Sequence, residues 1–109
     1  MEKLANDFLP GAFDVICARG KEAYTHNKSF RATLEHHLAS YAVATTKQQK
    51  SDIVSSIYNA IQEATPHGGF IRRDACGQWG RVSAQVAREK IGQGKHGRAM
   101  KNKNVALFH

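Results

Sequence analysis

The sequence predicts a single α+β domain, and three observations carry that expectation. Two segments repeat apolar residues at helical spacing, two short apolar runs flank a glycine turn in the second half, and 109 residues leave room for one core. With 41% of residues hydrophobic and 23% charged, the balance is that of a globular chain that folds without staples.

Residues 1–11 read as a loose lead-in closed by Pro10-Gly11, and Ala12 to Ala18 as a short strand ended by Arg19-Gly20-Lys21. A polar loop then reaches Asn27, a favoured N-cap. From there Phe30, Leu34, Leu38 and Tyr41 recur at spacings of four, four and three, which predicts a helix over 28–43. Thr46 with Gln49 three places on fits a capping box, and Ile53, Ile57 and Ile61 line one face of a second helix that Pro66 stops.

Gly68 to Asp74 and Gln78 to Val82 read as the two strands of a hairpin turning near Gly77. Ser83 caps a third helix with Val86, Ala87 and Ile91 inward, while Gly92, Gly94 and Gly97 weaken its continuation. The domain is therefore expected over 12–98, followed by a basic, flexible tail over 99–109. The expected order is strand, helix, helix, strand, strand, helix, with a small antiparallel sheet. Two helices followed by a basic hairpin resemble the helix-turn-helix and wing of winged-helix proteins.

Charge is unevenly distributed along the chain. Residues 1–60 hold seven Lys/Arg against six Asp/Glu, whereas residues 61–109 hold nine against three, so +6 of the formal +7 lies in the second part. A polyanion is the simplest partner for that asymmetry, because each neutralised phosphate releases condensed counterions; solubility alone is the plainer alternative. Cys17 and Cys76 are far apart and lack any Cys-x-x-Cys partner, so neither a zinc cluster nor a disulfide framework is indicated. No apolar run approaches the ~18 residues of a membrane span, and Met1 to Gly11 lack the pattern of a signal peptide. An intracellular, nuclear protein without a membrane partner is expected.

Several blocks, Asp14 to Gly20, His26 to Arg31, Gly68 to Asp74, Trp79 and Ala87 to Ile91, carry a resemblance. Over residues 13–98 the chain resembles an uncharacterised domain family abundant in predicted proteins of diatoms and related algae. That family's pattern reads D-V-L-x-G-R-G, N-x-H-x-G-N-x-x-F-R, G-G-R-F-L-x-x-D, W and A-R-x-K. Ala18 stands where the pattern has the first glycine of G-R-G, and Lys28-Ser29 alter the second block. The resemblance implies no activity.

Among the basic residues, Arg19 and Lys21 at a strand end, with His26 and Arg31 about a helix start, would converge as donors for a phosphate. The plainer reading makes Asn27 a cap, His26 a loop hydrogen-bonder and Arg31 a solvated side chain. Arg72, Arg73 and Arg81 on the hairpin would follow a nucleic-acid backbone, joined by Arg88, Lys90, Lys95 and Arg98. Lys47, Gln48 and Lys50 open the second helix, where recognition helices present base-reading side chains, although a solvated cap looks the same. Trp79 reads as core in preference to a stacking platform.

Adjacent His36 and His37 diverge on a helix and make no metal pair. No nucleophile triad, phosphate loop or paired carboxylates appear, so neither catalysis nor a cofactor is expected. Double-stranded DNA is the expected ligand, favoured over RNA because aromatic pairs that stack single-stranded bases are not evident. The alternative is a protein-interaction module using the apolar Val105 to Phe108 or an exposed helix face.

Overall fold

Val15-Ile16 and Phe70–Arg73 run side by side in the same direction, and this parallel pairing organises the chain around it. The computed structural model describes residues 1–93. In chain order the elements are β1 (Glu2–Lys3), β2 (Val15–Ile16), α1 (Lys21–His26), α2 (Lys28–His36), α3 (Leu38–Val43), α4 (Lys47–Ala64), β3 (Phe70–Arg73), β4 (Trp79–Arg81) and a fifth helix, α5, over 84–93. The class is α+β, with a four-stranded mixed sheet in the order β1-β4-β3-β2.

The expectation of an antiparallel sheet is corrected at β2. A parallel pair needs a long crossover, and α1 to α4 supply it, so the chain re-enters the sheet at the end where β2 began. β3 and β4 form the expected antiparallel hairpin, with Arg73 opposite Trp79. The lead-in also contributes to the sheet: Glu2 and Lys3 pair with Arg81 and Gly80, and the Gln78 amide donates to the Leu4 carbonyl at 3.1 Å.

The expected helix over 28–43 is two helices. At His37 the backbone N–H donates to the Leu34 carbonyl at 3.2 Å, an i to i−3 closure that tightens the last turn of α2 before α3 restarts. The expected polar loop before Asn27 holds the short helix α1, in which only Ala23 is buried, too little for an apolar period to reveal. α4 begins as its capping box requires, with Thr46 Oγ1 accepting from Gln49 N at 3.1 Å and Gln49 Oε1 accepting from Thr46 N at 3.3 Å. α5 is capped by Ser83, whose Oγ accepts from Val86 N at 3.2 Å, and it continues through Gly92.

The core lies between the sheet and the helices, with Phe70 at its centre. Phe30 and Tyr58 meet Phe70 edge-on at 6.2 and 5.8 Å, while Ile57, Ile61, Ala87 and Ile91 close the space around it. Trp79 is not part of that cluster, contrary to expectation. Strand alternation puts Arg73 on the face opposite Phe70, and Trp79, paired with Arg73, shares that face, where it is half-buried.

Candidate nucleic-acid interface

The local architecture is set by polar side chains that serve the backbone. Asn27 bonds both free backbone groups of Ile16: its Nδ2 donates to the Ile16 carbonyl and its Oδ1 accepts from the Ile16 N–H, each at 2.8 Å. The outer edge of β2 is thereby closed, and Cys17 to Gly20 leave the sheet on a fixed course. Gly20 turns the chain into α1 at φ 111, a conformation L side chains rarely adopt. At the other end of β2 the buried Asp14 carboxylate accepts from Gly11 N at 2.6 Å and Gly69 N at 2.8 Å. It sits so close to Gly68 that a Cβ there would lie 2.3 Å from Oδ1. In the hairpin, Asp74 Oδ1 accepts from Cys76 N and Gln78 N, both at 2.9 Å, which shapes the turn.

This scaffold presents three adjoining hollows at the carboxyl ends of the parallel strands, and Ala18 and Arg19 border all three. The largest, about 330 Å³, is lined by Arg19, Tyr24, Asn27, Arg31 and Lys90 and by no carboxylate. A second, about 190 Å³, joins Arg19 to Cys17, Arg72, Lys90 and Glu89. The third, also about 190 Å³, is bordered by Arg19, Arg72, Arg73, Trp79 and Glu22. Five cations therefore line three hollows that meet at Ala18 and Arg19. Neither Glu22 nor Glu89 forms an ion pair with Arg19, Arg72, Arg73 or Lys90.

Two of the five cations are oriented by aromatic rings. The Arg31 guanidinium lies 3.7 Å from the centre of the Tyr24 ring and donates to the Tyr24 carbonyl, and that of Arg73 lies 4.6 Å from the centre of Trp79. Burial pushes the Cys17 thiol pKa up, and the nearby charges of Lys90 and Arg72 pull against it. On balance the fold keeps the thiol protonated.

The remaining residues expected at the site divide into four groups. Lys21 is exposed at the start of α1, and Lys47, Gln48 and Lys50 are exposed on the first turn of α4, but none lines these hollows. Gln48 donates to Asp52 Oδ1 at 2.7 Å, and the Lys50 ammonium lies 5.7 Å from the centre of the Tyr41 ring. Arg81 and Arg88 are engaged within the fold. Arg81 donates to the Gly68 carbonyl at 2.7 Å and pairs with Glu2 at 2.6 Å, while Arg88 bridges α5 to α4 through Ser55 Oγ at 2.7 Å and Ser51 Oγ at 3.1 Å. His26 is half-buried with Nε2 unbonded and lines none of the three hollows. Lys95, Arg98 and Val105 to Phe108 lie outside the described residues.

Tyr24 and Glu22 were not legible as site residues, since a short helix with one buried residue leaves no pattern to follow. Trp79 had a usable signal. Counting back across the turn set by Asp74 and Gly77 places it opposite Arg73 and on that arginine's face.

Residues 14–94 match the family model of a domain of unknown function, DUF6824. The chain belongs to this family. No curated protein and no solved structure matches it. The DUF6824 span takes in every residue that lines the three basic hollows and leaves out β1 and the lead-in. Within it, Asp14, Asn27, Phe30, Gly68 and Asp74 hold the scaffold, whereas Arg19, Arg31 and Trp79 line the hollows.

Proposed function

We propose that this DUF6824 domain binds nucleic acid, gripping the phosphate backbone with Arg19, Arg31, Arg72, Arg73 and Lys90. The observation that carries the reading is their grouping around three hollows that share Arg19 at the carboxyl ends of β2 and β3, the end at which open parallel sheets commonly bind ligands. Charges held together without acidic partners are repelled by one another, and a chain of phosphates removes that repulsion while releasing counterions. In sequence, residues 94–109 add Lys95, Arg98, Lys101 and Lys103 and no Asp or Glu, which supports the same reading.

Duplex DNA is the ligand proposed first, since backbone contacts accept a duplex without reading its sequence. The likeness to winged-helix proteins is carried forward for the hairpin alone: β3 and β4 would lie along the backbone as a wing does. Insertion of α4 into a groove has less support, because Gln49 is used in the cap and Gln48 bonds Asp52. Binding, and not catalysis, is the proposed role.

Anisotropy of a labelled random-sequence duplex, titrated at several salt concentrations, tests the reading. Tight binding at low salt, weakening linearly in log affinity against log salt, is the expected result. No binding at low salt would turn attention to a second reading. An open apolar hollow of about 320 Å³ lies between the lead-in and the end of α4, with Leu9 81% and Phe13 61% exposed beside it, and it suits a protein partner.

A further inference from the structure

Phosphate contacts explain the cations of the hollows but not the apolar surface beneath three of them. In the hollow between β2, α1 and the hairpin, Ile16, Ala18, Ala23 and Trp79 form the lining, while Arg19, Arg72 and Arg73 supply the charge. The guanidinium of Arg73 lies over the Trp79 ring, 4.6 Å from its centre, and adds a planar group to the lining. Glu22 is the one carboxylate on this hollow, and among cations it offers an acceptor that a phosphate has no use for. Flat apolar surface, a planar cation, an acceptor and flanking positive charge are the recognition chemistry of a nucleotide with its base unstacked.

Resting on the nucleic-acid reading above, we infer that this hollow takes one unpaired nucleobase. The base stacks on the Arg73 guanidinium where it lies over Trp79, Glu22 accepts from an N–H on the base edge, and the flanking phosphates meet Arg19 and Arg72. Bases paired within a duplex keep their faces covered by their neighbours and leave the hollow empty. In DNA that the backbone contacts already hold, an unpaired stretch therefore gains a contact that a fully paired one lacks.

Trp79 is the only tryptophan of the chain, so its emission reports on the hollow directly. The full chain is titrated with an oligodeoxythymidylate, with an abasic deoxyribose-phosphate oligomer of equal phosphate count, and with a duplex of the same length. Expected is quenching by the thymidylate alone, together with an affinity about tenfold above that of the abasic oligomer, the value of one stacked base. Trp79→Leu should close that affinity gap. Should this variant fail to fold, Ala18→Gln places bulk in the hollow from an exposed position and should close it as well. Equal affinities for thymidylate and abasic oligomers with unchanged Trp79 emission would overturn the base site while leaving backbone binding intact. A gap that persists in folded Ala18→Gln overturns it too. Absence of binding by all three probes overturns both readings.

Discussion

The carboxamide of Asn27 pairs with Ile16 as a neighbouring strand would, giving a hydrogen bond to the carbonyl and taking one from the N–H, both at 2.8 Å. The exposed edge of β2 is closed by one side chain, which also fixes where Arg19 emerges. Asn27→Ala removes both partners and leaves two backbone groups of a part-buried strand unmet. A loss of about 2–4 kcal/mol is expected, read as a lower urea midpoint with an unchanged slope. Asn27→Asp should recover little, because a carboxylate would accept from Ile16 N but repel its carbonyl.

Gly68→Ala tests the packing of Asp14. The new Cβ would fall 2.3 Å from Asp14 Oδ1, and the carboxylate cannot retreat without losing Gly11 N or Gly69 N. A thermal-melt comparison should show destabilisation of about 1–3 kcal/mol, whereas Ala at the exposed and unconstrained Ala75 position replaced by Ser should change almost nothing.

Arginines engaged in the fold and arginines lining the hollows separate in a paired experiment. Arg88→Ala breaks the bridge from α5 to Ser51 and Ser55, so stability should fall while the salt dependence of nucleic-acid binding is retained. The double change Arg19→Gln with Arg72→Gln should leave the melting temperature near the parent's and flatten the log-affinity slope by about 1.8, near 0.9 for each lost phosphate contact. Reversal of these two outcomes would remove Arg19 and Arg72 from the interface.

Cys17 supplies a pH-dependent readout of the same corner. Burial raises its pKa, so at any pH near the ordinary thiol range it holds less thiolate than a free cysteine, and its alkylation should lag behind that of exposed Cys76. Because Lys90 lowers that pKa, Lys90→Gln should raise it further and slow Cys17 again, resolved by peptide mass spectrometry across a pH series. The folded state favours the protonated thiol. Its contribution to stability is therefore present below the ordinary thiol pKa and is lost as pH rises through the raised value.

Reading along the chain was sufficient wherever a local rule acts within a few residues. Thr46 and Gln49 cap α4 as their spacing requires, Ser83 caps α5, Ile57 and Ile61 face inward, and the β3–β4 hairpin turns about Asp74 and Gly77. The concentration of positive charge was equally plain from residue order. What needed the assembled molecule was every relationship between distant segments. Whether β2 pairs parallel or antiparallel depends on which end of the sheet the crossover re-enters, and no single strand records that. The same closure decided which arginines are free: Arg88 finds two serines on α4 and Arg81 finds Gly68 and Glu2, while Arg19, from the first quarter of the chain, meets Arg72 and Lys90. A guanidinium carries the same charge in every context, and only its neighbours in space determine whether that charge is engaged or open to a ligand.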